Sequence, residues 1–442
     1  MEWAFEGVWA GVGWGKPGHE ADDGRWTIVE SGRLKTELYE EGWKMTGNGG
    51  SMVSADPHRP SFAVHRPVIG IDASRALMGQ RTGTEHYSAN LLRALALLPQ
   101  AEGYGFVLYA NSESEGEARE RLGFELPPAW EVRAIPARRL WTHIALSREM
   151  RRHPPDVLFV PSHVVPLRHP RRTVVTIHDL GYLYYPQAHT FMSRIYLRLS
   201  TRFSSRVASR VIAVSEATKQ DLVKRYRVTP RKIRVVYHGR DPAFAPVGDE
   251  AAIAEAGARY GIGRFYCLHV GTLQPRKNLQ MLVEAWARLR GKVKEPPQLL
   301  LAGKRGWLYD SLYETVQSRE LGELVKFADY VEQGDLPALY SGALALTFPS
   351  LYEGFGLPAL EAMSCGTPVL ASKASSLTEV VDDAGLLLYP HDPEAWSDAV
   401  IRLMENPKLR QSLSQKGLER AQRFTWERCA RQTLGVLAET LG

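Results

Sequence analysis

The feature that most constrains the fold is a double series of short apolar runs, separated by segments with helical periodicity. The first series occupies residues 68–237 and the second occupies residues 266–388. Apolar runs that alternate with helical segments are typical of parallel sheets covered by helices on both faces. The predicted fold class is therefore α/β, with two doubly wound, Rossmann-like domains that face each other across a cleft.

The two series also predict domain limits. In the first, strands are expected at 68–72, 106–110, 157–160, 173–177, 211–214 and 233–237, and in the second at 266–270, 299–302, 325–327, 343–348, 368–371 and 385–388. A turn-rich linker with Pro242, Pro246 and Gly248 lies between them. We expect an N-terminal domain at 67–248 and a C-terminal domain at 249–442, with the last helix crossing back to the N-terminal domain.

Residues 1–66 lack aliphatic periodicity and are rich in glycine and tryptophan. Such segments rarely bury enough surface to offset the entropy that is lost on ordering. We therefore predict a poorly ordered N-terminal extension. A partner-binding tail is the alternative, and Met52 is an alternative start of translation.

Composition excludes several classes of protein. The chain has 442 residues, of which 44% are hydrophobic and 24% are charged, and these fractions exclude wholesale disorder and fibrous repeats. Its three cysteines form no CxxC pair, which argues against a disulfide framework or a cysteine zinc site. No apolar run is long enough for a membrane helix, and no signal peptide is recognisable. We therefore predict a cytoplasmic protein.

Positive charge is concentrated in the N-terminal half. Residues 66–250 hold 28 Lys or Arg and 17 Asp or Glu, a net charge of +11, whereas residues 251–442 hold 21 and 22. This asymmetry favours an anionic partner for the N-terminal half: nucleic acid, a membrane surface or a phosphorylated substrate.

Arginines recur every fourth residue within this basic half, and an apolar residue follows each of the first four. The arginines are Arg194, Arg198, Arg202, Arg206 and Arg210, and the apolar residues are Ile195, Leu199, Phe203 and Val207. This spacing predicts adjacent basic and apolar stripes on one helix. The stripes fit contact with anionic lipid or a lipid diphosphate, or, equally well, a solvated arginine face over a core helix.

One motif places a glycine and two cations where a helix is expected to begin. Gly271 follows the strand at 266–270, and Arg276 and Lys277 come just before the helical segment. Cations are unfavourable at that end of a helix dipole unless they hold an anion. The arrangement therefore favours a diphosphate site over a solvated Arg-Lys pair.

A second motif places two carboxylates around a glycine loop. Glu353 and Glu361 are separated by seven residues, with Gly354 and Gly356 between them and a helix expected from Leu357. A carboxylate can accept two hydrogen bonds at once, which suits the vicinal diol of a sugar. A solvated glutamate is the ordinary alternative for each, and the surrounding glycines and prolines are what favour a site.

Three further features lie at predicted strand ends. His178 and Asp179 end the strand at 173–177 and should face the cleft, although a lone histidine is more often structural. The loop from Gly79 to Thr84 includes Gly83 and opens the first helix. Ser215 and Glu216 are interpreted as a helix N-cap.

Together, VGTLQPRKNL (270–279), FPSLYEGFGLPALEAMSCGTPVLAS (348–372) and SLTEVVDDAGLLLYP (376–390) resemble the retaining glycosyltransferases of group 1, family 4, which have the GT-B fold of two Rossmann-like domains. The likeness extends from about Val68 to the C-terminus. RTGTEHYSANLLRAL (81–95) and TIHDLGYLYYPQ (176–187) are similar to the mannosyltransferase B-like branch, which builds O-antigen and other surface polysaccharides. The chain departs from this pattern in its N-terminal extension and in Thr84-Glu85.

The resemblance implies a role for each matched residue. Glu361 would bind the ribose hydroxyls, Glu353 would lie at the donor sugar, and Arg276 and Lys277 would neutralise the diphosphate leaving group. With His178 near the donor sugar, the candidate catalytic residues are His178, Glu353, Arg276 and Lys277. The candidate donor-binding residues are Gly83, Gly271, Arg276, Lys277, Glu353, Phe355, Gly356, Leu357 and Glu361.

The resemblance also implies an activity. A hexose, mannose from GDP-mannose, would be transferred to a glycan or lipid-diphosphate-linked acceptor at the inner face of the membrane. The transfer would proceed with retention and without a metal cofactor. No nucleic acid partner is expected. Alternatives are a UDP- or dTDP-sugar glycosyltransferase, a sucrose- or glycogen-type transferase, and an epimerase of the same fold that releases a free sugar. A non-catalytic sugar-nucleotide sensor would not need His178 or Glu353.

Overall fold

A computed structural model describes residues 66–79, 83–186, 190–306 and 309–442. Residues 1–65 of the predicted extension, including Met52, lie outside the described residues. So do Gln80, Arg81 and Thr82 of the first glycine loop. The predictions for these residues stay predictions.

The N-terminal sheet contains seven parallel strands in the order β3-β2-β1-β4-β5-β6-β7. These strands are β1 (Val68–Asp72), β2 (Gly105–Ala110), β3 (Trp130–Ala134), β4 (Val157–Val160), β5 (Thr173–Ile177), β6 (Arg210–Ala213) and β7 (Ile233–Val235). The α-helices between and around them are α1 (Gly83–Ala96), α2 (Glu115–Leu122), α3 (Ser147–Arg152), α4 (Gly181–Tyr184), α5 (Phe191–Val207) and α6 (Glu216–Tyr226).

The C-terminal sheet contains six parallel strands in the order β10-β9-β8-β11-β12-β13. They are β8 (Tyr266–Val270), β9 (Gln298–Ala302), β10 (Val325–Phe327), β11 (Ala345–Phe348), β12 (Val369–Ser372) and β13 (Leu386–Leu388). The accompanying helices are α7 (Glu250–Arg259), α8 (Leu279–Lys292), α9 (Tyr309–Ser318), α10 (Leu336–Gly342), α11 (Leu357–Ser364), α12 (Leu377–Val380), α13 (Pro393–Glu405), α14 (Pro407–Ala421) and α15 (Trp426–Leu441).

The strand order determines where a ligand can bind. In the C-terminal sheet, β8 lies between β9 and β11, so the chain leaves β8 toward one edge and later returns to its other side. Open α/β sheets bind ligands at such a switch point, outside the carboxyl ends of the strands. The loops after β8 and β11 are the two loops that carry the glycine, cation and carboxylate motifs. The α/β fold class predicted from the sequence is confirmed.

Two local predictions were wrong. The edge strand β3 was not predicted, because only Trp130 and Val132 of its five residues are buried and apolar. Arg210 does not continue the arginine stripe, since α5 ends at Val207 and Arg210 begins β6, where its guanidinium pairs with Glu439 at 3.1 Å.

The last helix, α15, packs against the N-terminal domain. Cys429, Leu434 and Leu437 share a buried apolar cluster with Ile69 of β1 and Leu91 of α1. The N-terminal core therefore contains side chains from both ends of the described chain. Within the described ranges, no helix combines the length and the apolar character needed to cross a membrane.

Candidate active site

The loop after β8 brings a lysine back over the end of its own strand. The chain passes Gly271 and a short 3₁₀ turn at Pro275–Lys277 before α8 begins. Gly271 has a φ of 146°, and a Cβ at this position would lie 3.2 Å from Lys277 Cε. Glycine therefore leaves room for Lys277, whose Nζ lies 4.7 Å from the centre of the Phe348 ring.

The loop after β11 places Glu353 against the two cations. Its Oε1 accepts a hydrogen bond from Lys277 Nζ at 2.6 Å, and its Oε2 lies 2.9 Å from Arg276 Nη1. Burial alone would raise the pKa of Glu353, but the charges of Arg276 and Lys277 outweigh burial and lower this pKa to about 2. The three side chains form a cluster, named here the Glu353 cluster, in which Lys277 and Glu353 are buried and Arg276 is partly exposed. Its one excess positive charge suits a diphosphate.

Two serines fix the backbone of the Glu353 loop. Ser375 Oγ accepts a hydrogen bond from the Glu353 amide at 2.8 Å, and Ser376 Oγ lies within hydrogen-bond distance of the carbonyl oxygens of Glu353 and Phe355. The Phe355 side chain packs on the His238 ring, with 4.7 Å between ring centres. Only the backbone of Phe355 is therefore available to a ligand.

The second carboxylate has different surroundings. Gly356 precedes α11, Leu357 begins it, and Glu361 lies in its second turn. Tyr340 Oη donates a hydrogen bond to Glu361 Oε2 at 2.9 Å. Burial, helped by the charge of Asp241, raises the pKa of Glu361 to about 7, although the Tyr340 hydrogen bond opposes this change. Within the described ranges, no Lys or Arg forms a salt bridge with Glu361.

His178 lies at the carboxyl end of β5 as expected, and its ring contacts other residues of the N-terminal domain. Nε2 lies 2.8 Å from the Pro161 carbonyl oxygen and must therefore carry the proton. The ring is stacked at 5.6 Å on His163 and meets the edge of Tyr87. Burial and the neighbouring His163 lower the pKa of His178 to about 4. His178 is therefore neutral near pH 7, and its candidate role as a catalytic residue stays a prediction.

The Glu353 loop touches the N-terminal domain directly. A Cβ at Gly354 would lie 2.1 Å from the His178 carbonyl oxygen, so only glycine permits this approach. Tyr352 Oη donates to Asp221 Oδ2 of α6 at 2.8 Å and accepts a hydrogen bond from the Leu180 amide at 3.2 Å. The position of the loop therefore depends on both domains.

A second contact between the domains lies at the N-terminus of α6. Glu379, from α12, accepts hydrogen bonds from the amides of Glu216 at 2.8 Å and Ala217 at 2.9 Å. Ser215 Oγ accepts from the Thr218 amide, which confirms Ser215 as the N-cap. Glu216 is the first residue of the helix and contributes its amide, not its side chain, to this end.

The structure thus brings together Gly271, Arg276, Lys277 and Glu353, and places the His178 backbone against their loop. Glu361 lies apart from them against Tyr340. Gly83 begins α1 and is exposed, and no other group lies within 4 Å of the position that its Cβ would take.

Several residues that position the site were not predicted. They are Asp221, Tyr340, Tyr352, Ser375, Ser376 and Glu379. Four of them lie within or beside the motifs that indicated the site, but their contacts join segments far apart in sequence. Among the described residues, no group of three or more His, Cys, Asp or Glu side chains is arranged to hold a metal ion.

Two family models match the chain, one on each domain. "Glycosyl transferases group 1" matches residues 259–420, and "Glycosyltransferase Family 4" matches residues 81–244. The chain is 31% identical to O-antigen chain mannosyltransferase B of Escherichia coli over 80% of this chain and 95% of that protein. It therefore belongs to the group 1, family 4 glycosyltransferases, as the sequence motifs predicted.

A further relative agrees with this assignment, and a solved structure shares the fold. O-antigen chain mannosyltransferase RfbU of Salmonella typhimurium is 27% identical over 74% of this chain and 88% of its own length. The crystal structure of Anabaena HepE with UDP and glucose has a TM-score of 0.63 at 20% identity, covering 85% of this chain and all of that one. The fold is GT-B, and the protein is a glycosyltransferase.

Proposed function

We propose that this glycosyltransferase moves mannose from GDP-mannose to a glycan carried on a lipid diphosphate, with retention at the anomeric carbon, in the synthesis of a surface polysaccharide. The proposal includes no resident metal, because Arg276 and Lys277 supply positive charge to the leaving diphosphate. The observation that carries it is the Glu353 cluster, whose two cations could bind a diphosphate, and the separate carboxylate of Glu361 would suit a ribose diol. The similarity to O-antigen chain mannosyltransferase B supports the sugar and the kind of product.

The transfer reaction requires these residues to stabilise the leaving diphosphate. When the bond between the anomeric carbon and the phosphate oxygen breaks, the diphosphate takes the electron pair. The acceptor hydroxyl oxygen forms the new bond to carbon and gives its proton to the departing diphosphate. The developing negative charge must then be stabilised. Arg276 and Lys277 are already fixed by Glu353, so they need little reorganisation when that charge appears.

The first experiment is a thermal-shift comparison of GDP-mannose, UDP-glucose, a dTDP-sugar and ADP-glucose, without added metal. A ligand that binds only the native state raises the melting temperature. We expect a shift with GDP-mannose that is lost in Lys277→Ala and Glu361→Ala and kept in Glu295→Gln, a change at an exposed carboxylate of the same domain. A GDP-mannose shift that survives in Lys277→Ala and Glu361→Ala would contradict the assigned site.

Turnover with a lipid-linked acceptor tests the rest of the proposal. We expect an α-linked product from the α-linked donor, with activity that persists in a metal chelator, and His178→Ala should lower kcat more than donor affinity. A β-linked product would reject retention. A free sugar formed without acceptor would favour the epimerase alternative.

A UDP-sugar donor is the second candidate, because the GT-B neighbour HepE was solved with UDP and glucose. A thermal shift with UDP-glucose and none with GDP-mannose would select this candidate. The candidate residues for the diphosphate and the ribose, Arg276, Lys277 and Glu361, would remain the same, since both donors share these two groups.

A further inference from the structure

The first half of helix α5 exposes large apolar side chains, which an ordinary surface helix would bury. Its buried residues are small and polar, Ser193, Ser200, Thr201, Ser204 and Ser205. Four of its large apolar residues instead face outward: Phe191 is 68% exposed, Met192 53%, Ile195 37% and Leu199 61%. Surface helices normally bury their apolar stripe against the core, so this exposed face needs another explanation.

The buried side of α5 shows that this orientation is fixed by specific contacts. Ser204 Oγ accepts a hydrogen bond from the Val165 amide at 3.0 Å, and small side chains allow the helix to lie close to β5. Phe203 and Val207, near the end of the helix, do pack against the apolar core. The predicted apolar stripe is therefore divided, and its first half, with Ile195 and Leu199, is exposed.

Positive charge surrounds the exposed apolar residues. Phe191–Val207 contains four arginines and no acidic residue. A groove of about 900 Å³ runs between α5 and the end of α6, and its basic residues are Arg194, Arg198, Arg202, Lys224, Arg225 and Arg227. Among the described residues, no Asp or Glu lines this groove.

We propose that the exposed face of α5, together with this groove, docks the protein onto a lipid bilayer that carries anionic headgroups. Phe191, Met192, Ile195 and Leu199 enter the boundary between headgroups and acyl chains, and Arg198 and Arg202 contact the headgroup phosphates. The proposal rests on this surface alone and extends the proposed function, because it names the place where an enzyme acting on a lipid-linked glycan meets the lipid.

Two properties of the face favour a bilayer over a nucleic acid or a second copy of this chain. A nucleic acid would use the arginines but leave the outward apolar side chains in water. A second copy would place two such arginine-rich faces against each other, with like charges in contact. Anionic lipid satisfies both the basic and the apolar part of the surface.

The test is cosedimentation of the full chain with vesicles of phosphatidylglycerol and phosphatidylcholine, compared with phosphatidylcholine alone. The variant Arg198→Glu/Arg202→Glu should lower the partition coefficient about 30-fold, which corresponds to roughly fivefold for each basic contact removed. Leu199→Ser should weaken binding severalfold, and this loss should persist at high salt. The control Lys294→Glu/Lys408→Glu makes the same change in charge at exposed positions of the C-terminal domain and should bind as the wild type does.

All substituted side chains are exposed, so a melting temperature within a few degrees of wild type checks that each variant folds. Equal binding of the arginine variant and the wild type would overturn the proposal, as would equal binding to both kinds of vesicle. If wild type ignores vesicles and forms a dimer that Leu199→Ser dissociates, the face belongs to a second copy. Vesicle binding requires neither donor nor acceptor, so the docking proposal can fail while donor binding persists, and the reverse can also occur.

Discussion

Glu353 and Glu361 come from one motif with seven residues between them, yet the protein places them in opposite electrostatic environments. Glu353 is held between Arg276 and Lys277, and its pKa is lowered to about 2. The carboxylate of Glu361 accepts a hydrogen bond from the neutral Tyr340 hydroxyl, and its pKa is raised to about 7. One carboxylate is therefore a permanent anion that organises cations, and the other remains close to protonation until a ligand supplies hydrogen-bond donors.

The largest effect is expected from Glu353→Gln, which removes the negative charge between Arg276 and Lys277. Removing this anion leaves Arg276 and Lys277 buried without their partner, and we expect a loss of about 3 kcal/mol in the free energy of unfolding near pH 7. Urea unfolding measures it. Because the folded-state pKa of Glu353 is lowered, its contribution is present above its unfolded value of about 4.5 and is lost as pH falls toward 2. The difference between variant and wild type should therefore shrink over that range.

A difference that stays constant from neutral to acid pH would show that Glu353 acts through packing and not through charge. The control is Glu332→Gln, a change at an exposed carboxylate of the same domain. It should leave the unfolding midpoint unchanged.

Glu361→Gln should have the next largest effect, with the opposite dependence on pH. The folded-state pKa of Glu361 is raised, so the folded protein holds this proton more tightly than the unfolded chain does. The wild type should therefore lose stability as pH rises from about 4.5 to 7, and the variant should lack up to about 3 kcal/mol of that loss. Parallel pH profiles of unfolding for the two proteins would contradict the raised pKa.

Tyr340→Phe removes the hydroxyl that donates a hydrogen bond to Glu361. The hydroxyl favours the ionised form of Glu361, so its removal raises the pKa of Glu361 further and leaves fewer molecules ready to accept the ribose hydroxyls. We expect about fivefold weaker donor binding at pH 7, measured by calorimetry, and a deficit that disappears near pH 8.5. If the deficit is the same at both pH values, Tyr340 acts by packing and does not influence ionisation.

The smallest effect is expected from Tyr352→Phe, because it touches only the contact of the Glu353 loop with the N-terminal domain. Losing the hydrogen bond to Asp221 should lower kcat about threefold and leave the KM for donor within twofold of wild type. Steady-state kinetics separate the two parameters. A rise in KM with unchanged kcat would mean that the loop contact serves donor binding and not the placement of reacting groups.

The sequence predicted the residues of this site that lie in its motifs, but not the contacts that join distant segments. The motifs indicated Gly271, Arg276, Lys277 and Glu353 separately, and the family resemblance implied one donor site. The structure brings them together because β8 and β11 are neighbouring parallel strands, whose carboxyl ends meet at one edge of the sheet. The partner of Glu361 could not be predicted, because Tyr340 is an ordinary apolar-facing position of α10 until α11 packs beside it. The capping of α6 by Glu379 was likewise invisible, since it joins residues more than 160 positions apart.

The orientation of helix α5 also could not be predicted from the sequence. Its periodicity was correctly recognised, but periodicity does not tell which stripe faces inward. The serines and threonines decided this, because they allow a closer approach to β5 than leucine or arginine would. The strand and helix types were thus predictable from local pattern, whereas the orientation of α5 and the supporting hydrogen bonds depend on tertiary packing.

The return of α15 to the first sheet has a consequence for biosynthesis. The ribosome produces residues 68–235 long before it produces Cys429, Leu434 and Leu437, so the early domain emerges with part of its apolar interior uncovered. A chain without Cys429, Leu434 and Leu437 would leave that interior exposed to chaperones. The N-terminal domain, although it is made first, is therefore completed only after the C-terminal sheet has been synthesised.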